Sequence, residues 1–451
     1  MPTPQTRCHA DLRPLRFRLE ALLPALPAGI AGFVSHDATL AARLERAGTH
    51  LTPTGDVEIA CGAARLRADT PTAVVVVAGE AAVPRPLRPF YACVHATRAL
   101  REARLLRRRY GSAEIRQWRA GATIADGDGR PVRAPLALGG GATAAIGRRQ
   151  RHASALEEIV AQAGSHVDGR LDLVSFAARG SGALGLGDRG VLRVGVGRTA
   201  TLVLSQIEAL QRLHHVGDDV VRERVPRILA HGSDAVSTWS LETRLPGERG
   251  PAAALEPVLL ADCIEFLARL HAVRGNSPAP RSAAETAAEA AAEAGAAGIG
   301  EDLVAVGRSV DAMLAGVARG FGHGDFWGDN LLVRGGRLVG VVDWSGGDAH
   351  MLPFLDLLHG LVTAERLRSG DTLGRYVSGS LLPRVGRGDI PEPLVTYGRA
   401  IGLDPDAPAL SCFVLAYWLE QVRRQVLAYR GVIDLRRWAQ ENIRPVMASL
   451  G

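Results

Sequence analysis

Apolar and polar positions follow two rhythms along this chain, one of period two and one close to the helical 3.6. Val57-Glu58-Ile59-Ala60 and Val74-Val75-Val76-Val77 predict strands, the second with the unbroken apolar run of a strand covered on both faces. His95 to Tyr110 reads as a basic helix and Ala113 to Trp118 as the strand after it. Leu171 to Ala178 and Gly190 to Gly195 read as strands, Leu204 to Leu213 as a helix, and Thr238 to Arg244 as a strand stopped by Leu245-Pro246-Gly247. Leu338 to Val342 is strand-like again. Leu410 to Tyr429 predicts a long helix in which Phe413, Leu415, Tyr417, Trp418, Val422 and Leu427 are mostly core.

Composition sharpens this picture. Apolar residues make up 47% of the chain and charged residues 22%, the balance of a globular chain with more than one core. All 53 basic side chains are arginine, so chemistry that depends on a lysine must run on arginine or not at all. Residues 1–150 hold 22 arginines against 12 acidic residues, while the rest holds 31 against 35, so the segments carry different surfaces. A first domain, a small basic α/β unit, is expected over 1–138. The glycine run Gly139-Gly140-Gly141 opens a linker over 139–154. The Ala-Glu-Gly tract from Ser282 to Gly300 reads as a second break, its Ala-Glu part a solvated helix. Five scattered cysteines with no CxxC pair imply neither a disulfide framework nor a zinc site. No apolar run approaches a membrane span, and arginines interrupt the stretch where a secretory leader would lie, so a cytoplasmic protein is expected. The arginine-rich stretch 98–109 lacks interleaved aromatics and reads as a solvated face, so no nucleic-acid partner is expected.

The strongest chemical signal is His323-Gly324-Asp325-Phe326-Trp327-Gly328-Asp329-Asn330, followed at the end of a strand-like run by Asp343. Phosphoryl transfer to a hydroxyl needs a carboxylate to hold the acceptor O–H in line, and an amide and a second carboxylate to hold magnesium against the phosphate oxygens. A tight loop and a hairpin bring such groups together. Asp325 is then the candidate base, with His323 beside it in the catalytic loop, and Asn330 and Asp343 are the candidate metal ligands. The chain has only three asparagines, so one at this spacing is improbable by chance. His350 and His359 stand in no ligand spacing and read as structural.

These strings, with Leu331-Leu332-Val333 and Gly340-Val341-Val342-Asp343-Trp344, resemble the aminoglycoside phosphotransferase and choline kinase superfamily. Pro353-Phe354-Leu355-Asp356-Leu357 is similar to that family's next block, whose aspartate braces the catalytic region. Leu267-Ala268-Arg269-Leu270-His271 is similar to its helix ahead of the catalytic loop. The resemblance covers about residues 155–451. It implies an α+β, protein-kinase-like bilobal fold, with a β-rich small lobe over 155–248 and a helical large lobe over 249–451. It also implies ATP or GTP with Mg2+ as cofactors.

The small lobe carries its own sign. Gly180-Ser181-Gly182-Ala183-Leu184-Gly185 stands between two predicted strands, which suits a hairpin closing over phosphates better than a Rossmann turn. The resemblance places Gly180, Gly182, Gly185 and Arg193 at the nucleotide, Arg193 where the family has lysine. It offers Glu208 as the partner of Arg193, although a register count back from Leu213 puts Gln206 at that position. It makes Glu242 to Leu245, Arg244 among them, the segment whose backbone meets the purine. Ser345 stands where many relatives have glutamate. Residues 351–451, with 12 arginines and 10 acidic residues, offer no obvious acidic cleft for a polycationic acceptor. The expected activity is transfer of the γ-phosphate to a hydroxyl of a sugar, polyol or other small molecule. A peptide Ser/Thr kinase and a nucleotide-binding pseudokinase are the alternatives.

Overall fold

Strands stand where the apolar runs predict them. In the computed structural model, Val57–Cys61 (β2) and Ala73–Val77 (β3) pair in parallel, flanked by Phe33–Val34 (β1). The structure describes the chain at 190–196, 198–234, 237–251, 256–273, 281–294, 300–404, 406–429 and 435–451. Before 190 it describes 159, 162–166 and the separate strands up to 186. Tyr91–Ala96 (β4), Glu114–Ile115 (β5), Ala122–Ala125 (β6), Pro131–Ala134 (β7) and Ala144–Arg149 (β8) complete the early strands. Seven of these eight form one mixed sheet of order β1-β2-β3-β8-β4-β6-β7.

Three expectations change here. Residues 95 and 96 of the predicted basic helix lie in β4, and 97–110 fall outside the described residues. Within the predicted strand 113–118 only Glu114–Ile115 is regular, and it pairs in parallel with Leu171–Phe176 (β9) rather than within the first sheet. The stretch 139–154 is not linker throughout, because β8 lies inside it, between β3 and β4. The glycine run ends at Gly141, and the apolar Ala144-Ala145-Ile146 that follows can join a ladder.

The second sheet has the order β12-β13-β11-β10-β9-β5. It is built from β9, Ser181–Leu186 (β10), Gly190–Val196 (β11), Ile228–Ser233 (β12) and Ser237–Thr243 (β13). Side chains alternate in facing along each strand. Leu184 and Leu186, Leu192 and Val194, and Trp239 and Leu241 therefore share one face, where they bury against Ile159 and Ala163. Arg193, Ser240 and Glu242 take the other face. The glycine motif falls within β10 rather than in a turn: Gly182 and Gly185 sit in the ladder opposite Val194 and Val191, and Gly180 lies outside the described residues.

Contacts divide the chain into two units, one of 1–204 with 228–244 and one of 205–227 with 245–451. The boundary runs through the helix Arg198–Val216 (α1). The second unit is mostly helical, so the chain is α+β with its β-rich part first, as expected. It begins with Asp219–Arg224 (α2), Pro257–Ala272 (α3), Ala283–Ala294 (α4) and Gly300–Met313 (α5). Two short ladders follow. Glu248–Arg249 (β14) pairs with Leu331–Arg334 (β16), which pairs with Arg337–Val341 (β17), and Gly320–Gly322 (β15) pairs with Asp348–Met351 (β18). Leu355–Ser369 (α6) comes next, and further on lies the 23-residue helix Ala407–Tyr429, the long helix of this unit. Phe413, Tyr417, Trp418 and Val422 of that helix are all buried, as the period predicts. Among the described residues no helix is long and apolar enough to cross a membrane.

The Ala-Glu tract is a packed helix rather than a solvated break. Ser282 and Glu285 cap it reciprocally, the Glu285 N–H donating to Ser282 Oγ at 3.0 Å and the Ser282 N–H to Glu285 Oε2 at 2.8 Å. The Asp311 carboxylate accepts from the Ala283 and Ala284 N–H groups at 2.7 and 3.0 Å. Ala287 and Ala290 are fully buried. A Cβ at Gly307 would stand 2.6 Å from the Ala284 Cα, so α4 and α5 approach closely enough to need glycine there. Small side chains make the tract look solvent-tolerant in sequence and let it pack tightly in the fold.

Candidate active site

The motif residues converge at the open end of the β16–β17 hairpin. Leu331 pairs with Val341, and the Val342 N–H donates to the Asn330 carbonyl at 2.9 Å, so Asn330 and Asp343 stand at neighbouring strand ends. A single 3-10 turn, Gly328–Asn330, brings the chain round from the catalytic loop. Asp343 adopts φ 70°, a left-handed conformation that costs energy for a non-glycine residue and re-aims the chain at the hairpin exit. Trp344 behind it is fully buried and donates its Nε1–H to the Val341 carbonyl at 2.9 Å.

Asn330 and Asp325 are locked together. The Asn330 amide donates to the Asp325 backbone carbonyl at 2.8 Å and to Asp325 Oδ2 at 2.9 Å. With both N–H groups so used, the Asn330 side-chain oxygen is the part left to ligate. The Asp325 side chain is 48% exposed, open to an incoming molecule. Burial pushes its carboxyl up, but the hydrogen bond and charge of His359, with His323 and Arg424 nearby, more than offset that and hold it at about 2. Asp325 is therefore ionised at neutral pH and can accept a proton.

His323 is fully buried, and both ring nitrogens engage backbone groups. Its Nε2 lies 3.0 Å from the Val342 carbonyl and can only donate to it, which leaves Nδ1 to accept the Asp325 N–H at 3.2 Å. Burial lowers its pKa, against the opposing pull of Asp356, Asp325 and Asp343. The ring packs edge-on against Trp344 at 4.6 Å. His323 thus ties the catalytic loop to the strand end before Asp343.

Asp356 does what the sequence block implies. Its carboxylate accepts the N–H groups of His323 at 2.6 Å and Gly324 at 2.8 Å. Gly324 itself has φ 82°, and a Cβ there would stand 2.2 Å from the Gly346 carbonyl oxygen, so only glycine fits. The Gly324 carbonyl accepts from the Arg424 guanidinium. Arg424 is held by Glu420, whose carboxyl burial would raise but Arg424 and Arg423 bring down to about 2.

The nucleotide residues divide differently from the sequence reading. Arg193 lies on β11 and pairs with Glu242 of β13, Nε to Oε2 at 3.8 Å. Glu242 is buried, and its Oε1 accepts from Ser240 Oγ at 2.8 Å. The expected partner Glu208 is exposed on α1 and belongs to the second unit, and Gln206, which the register count from Leu213 put at the glutamate position, is buried. The carboxylate for Arg193 comes instead from two positions along the adjacent strand. Arg244 follows the end of β13 and is half-buried.

The residues fit a magnesium ion. Asn330 and Asp343 offer one amide oxygen and one carboxylate, a hard, oxygen-only set of the kind that Mg2+ completes with phosphate oxygens and water. Among the described residues no group of three or more His, Cys, Asp or Glu side chains is placed as a metal cage.

Sequence reasoning missed His359 and Tyr417. His359 Nε2 lies 3.0 Å from Asp325 Oδ1, and its Nδ1 lies 3.4 Å from the Tyr417 hydroxyl. The one available signal was spacing, since His359 stands three residues after Asp356 and so shares its helix face.

Asp325 is thus pinned by the hairpin asparagine Asn330, and a second carboxylate, Asp343, stands at the strand exit. Residues 179–379, just under half of the chain, match the family model "Phosphotransferase enzyme family". No curated protein matches the chain in a sequence search. Among solved structures, the chain is similar to an aminoglycoside phosphotransferase, APH(3'')-Id of Streptomyces rimosus, at 15% identity and a TM-score of 0.42, over 58% of this chain and 97% of that one. It is also similar to the GDP and kanamycin complex of APH(2")-IIia at 13% identity and a TM-score of 0.44, over 65% and 97% of the two chains.

Proposed function

We propose that this chain is a nucleotide-dependent kinase that moves the γ-phosphoryl group of ATP or GTP to a hydroxyl of a small molecule. The observation that carries the reading is the ionised, half-exposed Asp325 locked to Asn330 beside Asp343. In the reaction Asp325 orients the acceptor O–H and takes its proton. The acceptor oxygen forms the new bond to phosphorus as the bond from phosphorus to the bridging oxygen breaks, releasing the nucleoside diphosphate. A magnesium ion at Asn330 and Asp343 would neutralise charge on the phosphate oxygens. Gly180, Gly182, Gly185 and Arg193 are the residues proposed for the phosphates, with Glu242 steadying Arg193. Guanidinium is permanently charged and can grip phosphate bidentately, so arginine can serve where lysine is absent.

The test is magnesium-dependent nucleotide turnover. Wild type should turn over ATP or GTP only with magnesium, and Asp343→Ala should lower turnover by at least about 100-fold, the scale at which a transition-state charge stabiliser acts. Equal turnover in wild type and variant would contradict the assigned ligand. No turnover in either would favour a nucleotide-binding protein without catalysis.

A further inference from the structure

Asp325 is held from two sides, and only one of them is a motif residue. Asn330 donates to Oδ2 and His359 reaches Oδ1, so both carboxylate oxygens are engaged. The outer torsion of an aspartate is soft, and one hydrogen bond leaves the carboxylate free to swing. A second donor on the other oxygen fixes its plane. His359 sits on the first turns of α6, three residues after Asp356. The same helix face therefore grips the catalytic loop twice: Asp356 takes the His323 and Gly324 N–H groups, and His359 takes the Asp325 side chain.

The proton can be placed. An ionised carboxylate only accepts, so the hydrogen between the two groups lies on Nε2 of His359. Burial raises the Tyr417 phenol, which keeps its proton. When the ring is neutral, the Tyr417 O–H can donate to Nδ1, which selects the Nε2–H tautomer. The His359 side chain is only 12% exposed, so water competes little for either nitrogen.

We propose that His359 is a positioning residue of the transfer reaction, its Nε2–H fixing the Asp325 carboxylate toward the acceptor hydroxyl while Tyr417 fixes the imidazole behind it. The kinetic part of this inference rests on the phosphotransfer reading, and the spectroscopic part does not. Ring-nitrogen NMR of the full chain at mildly alkaline pH should show His359 protonated at Nε2 and bare at Nδ1. Tyr417→Phe should shift that balance toward a mixture. A wild-type ring protonated at Nδ1 alone would overturn the inference, since Nε2 could not then donate to Asp325.

In magnesium-nucleotide turnover, with water as the acceptor where no better one is known, His359→Leu should lower kcat roughly tenfold or more and leave the nucleotide KM unchanged. His359→Gln, which keeps an N–H donor, should recover most of that loss. Equal kcat in wild type and His359→Leu would overturn the proposal. So would an equal loss in both variants with a raised KM, the mark of a merely structural role. If His359→Leu fails to fold, Tyr417→Phe carries the same kinetic test, with a smaller fall in kcat at constant KM expected and no change contradicting it. A protein with no turnover at all would defeat the phosphotransfer reading, while the ring spectrum would still decide the His359–Asp325 contact.

Discussion

Asp325→Asn should bind nucleotide as wild type does and transfer phosphate at least about 100-fold more slowly, the lower end of what a positioned general base contributes. The substitution keeps the size of the side chain, and Asn330 can still donate to the remaining side-chain oxygen. What it removes is the ionised acceptor of the hydroxyl proton, together with the second oxygen that accepts from His359. Because His359 and its neighbours hold the Asp325 carboxyl at about 2, the proposed base is already deprotonated at neutral and mildly acidic pH. The free enzyme should therefore show no loss of kcat/KM on mild acidification attributable to this group. Steady-state kinetics beside equilibrium nucleotide binding separates the two effects. A parallel loss of binding would mean that the loop had collapsed rather than lost its base.

The second large effect is on stability. Asp356→Ala removes a buried carboxylate that accepts two backbone N–H groups at 2.6 and 2.8 Å. Hydrogen bonds to a charged group contribute roughly 1.5–3 kcal/mol each, and the abandoned N–H groups have no water to turn to. A loss of about 3–5 kcal/mol follows, a large part of the stability of an ordinary domain. Asp356→Asn keeps one acceptor oxygen and should lose about half as much. Denaturant unfolding of both variants checks the order. A loss below about 1 kcal/mol in Asp356→Ala would show that the brace is not what holds the loop.

The meeting of the motif residues could be read from sequence because it is local. Asp325, Asn330 and Asp343 lie within one loop and one hairpin, so their spacing alone implies their meeting. The same holds for the strands at 57–61 and 73–77 and for the helix Ala407–Tyr429, where the apolar period sets both element and face. What escaped the sequence depends on contacts between distant segments. His359 stands 34 residues from the carboxylate it touches, and nothing in its neighbourhood shows which side chain it will face. Glu242 meets Arg193 only because β13 pairs with β11, a register that no local pattern supplies. The Ala-Glu helix looked solvated because alanine is neutral in sequence, while its value in the fold is that it lets two backbones approach.

The absence of lysine returns in concrete form. It places an arginine at position 193, and that arginine leans on a glutamate of its own sheet rather than on the helix glutamate the family resemblance offered. Arg193→Lys should therefore be a mild substitution for charge and a poor one for geometry, since ammonium cannot reproduce a planar fork.

The central claim is that this site transfers phosphate to a hydroxyl. The most direct measurement is a screen of small-molecule hydroxyl acceptors, sugars and polyols among them, with magnesium and with both ATP and GTP as donors, read by the mass of the acceptor. An acceptor should gain one phosphoryl group with wild type and none with Asp325→Asn. Undiminished transfer by Asp325→Asn would contradict the claim.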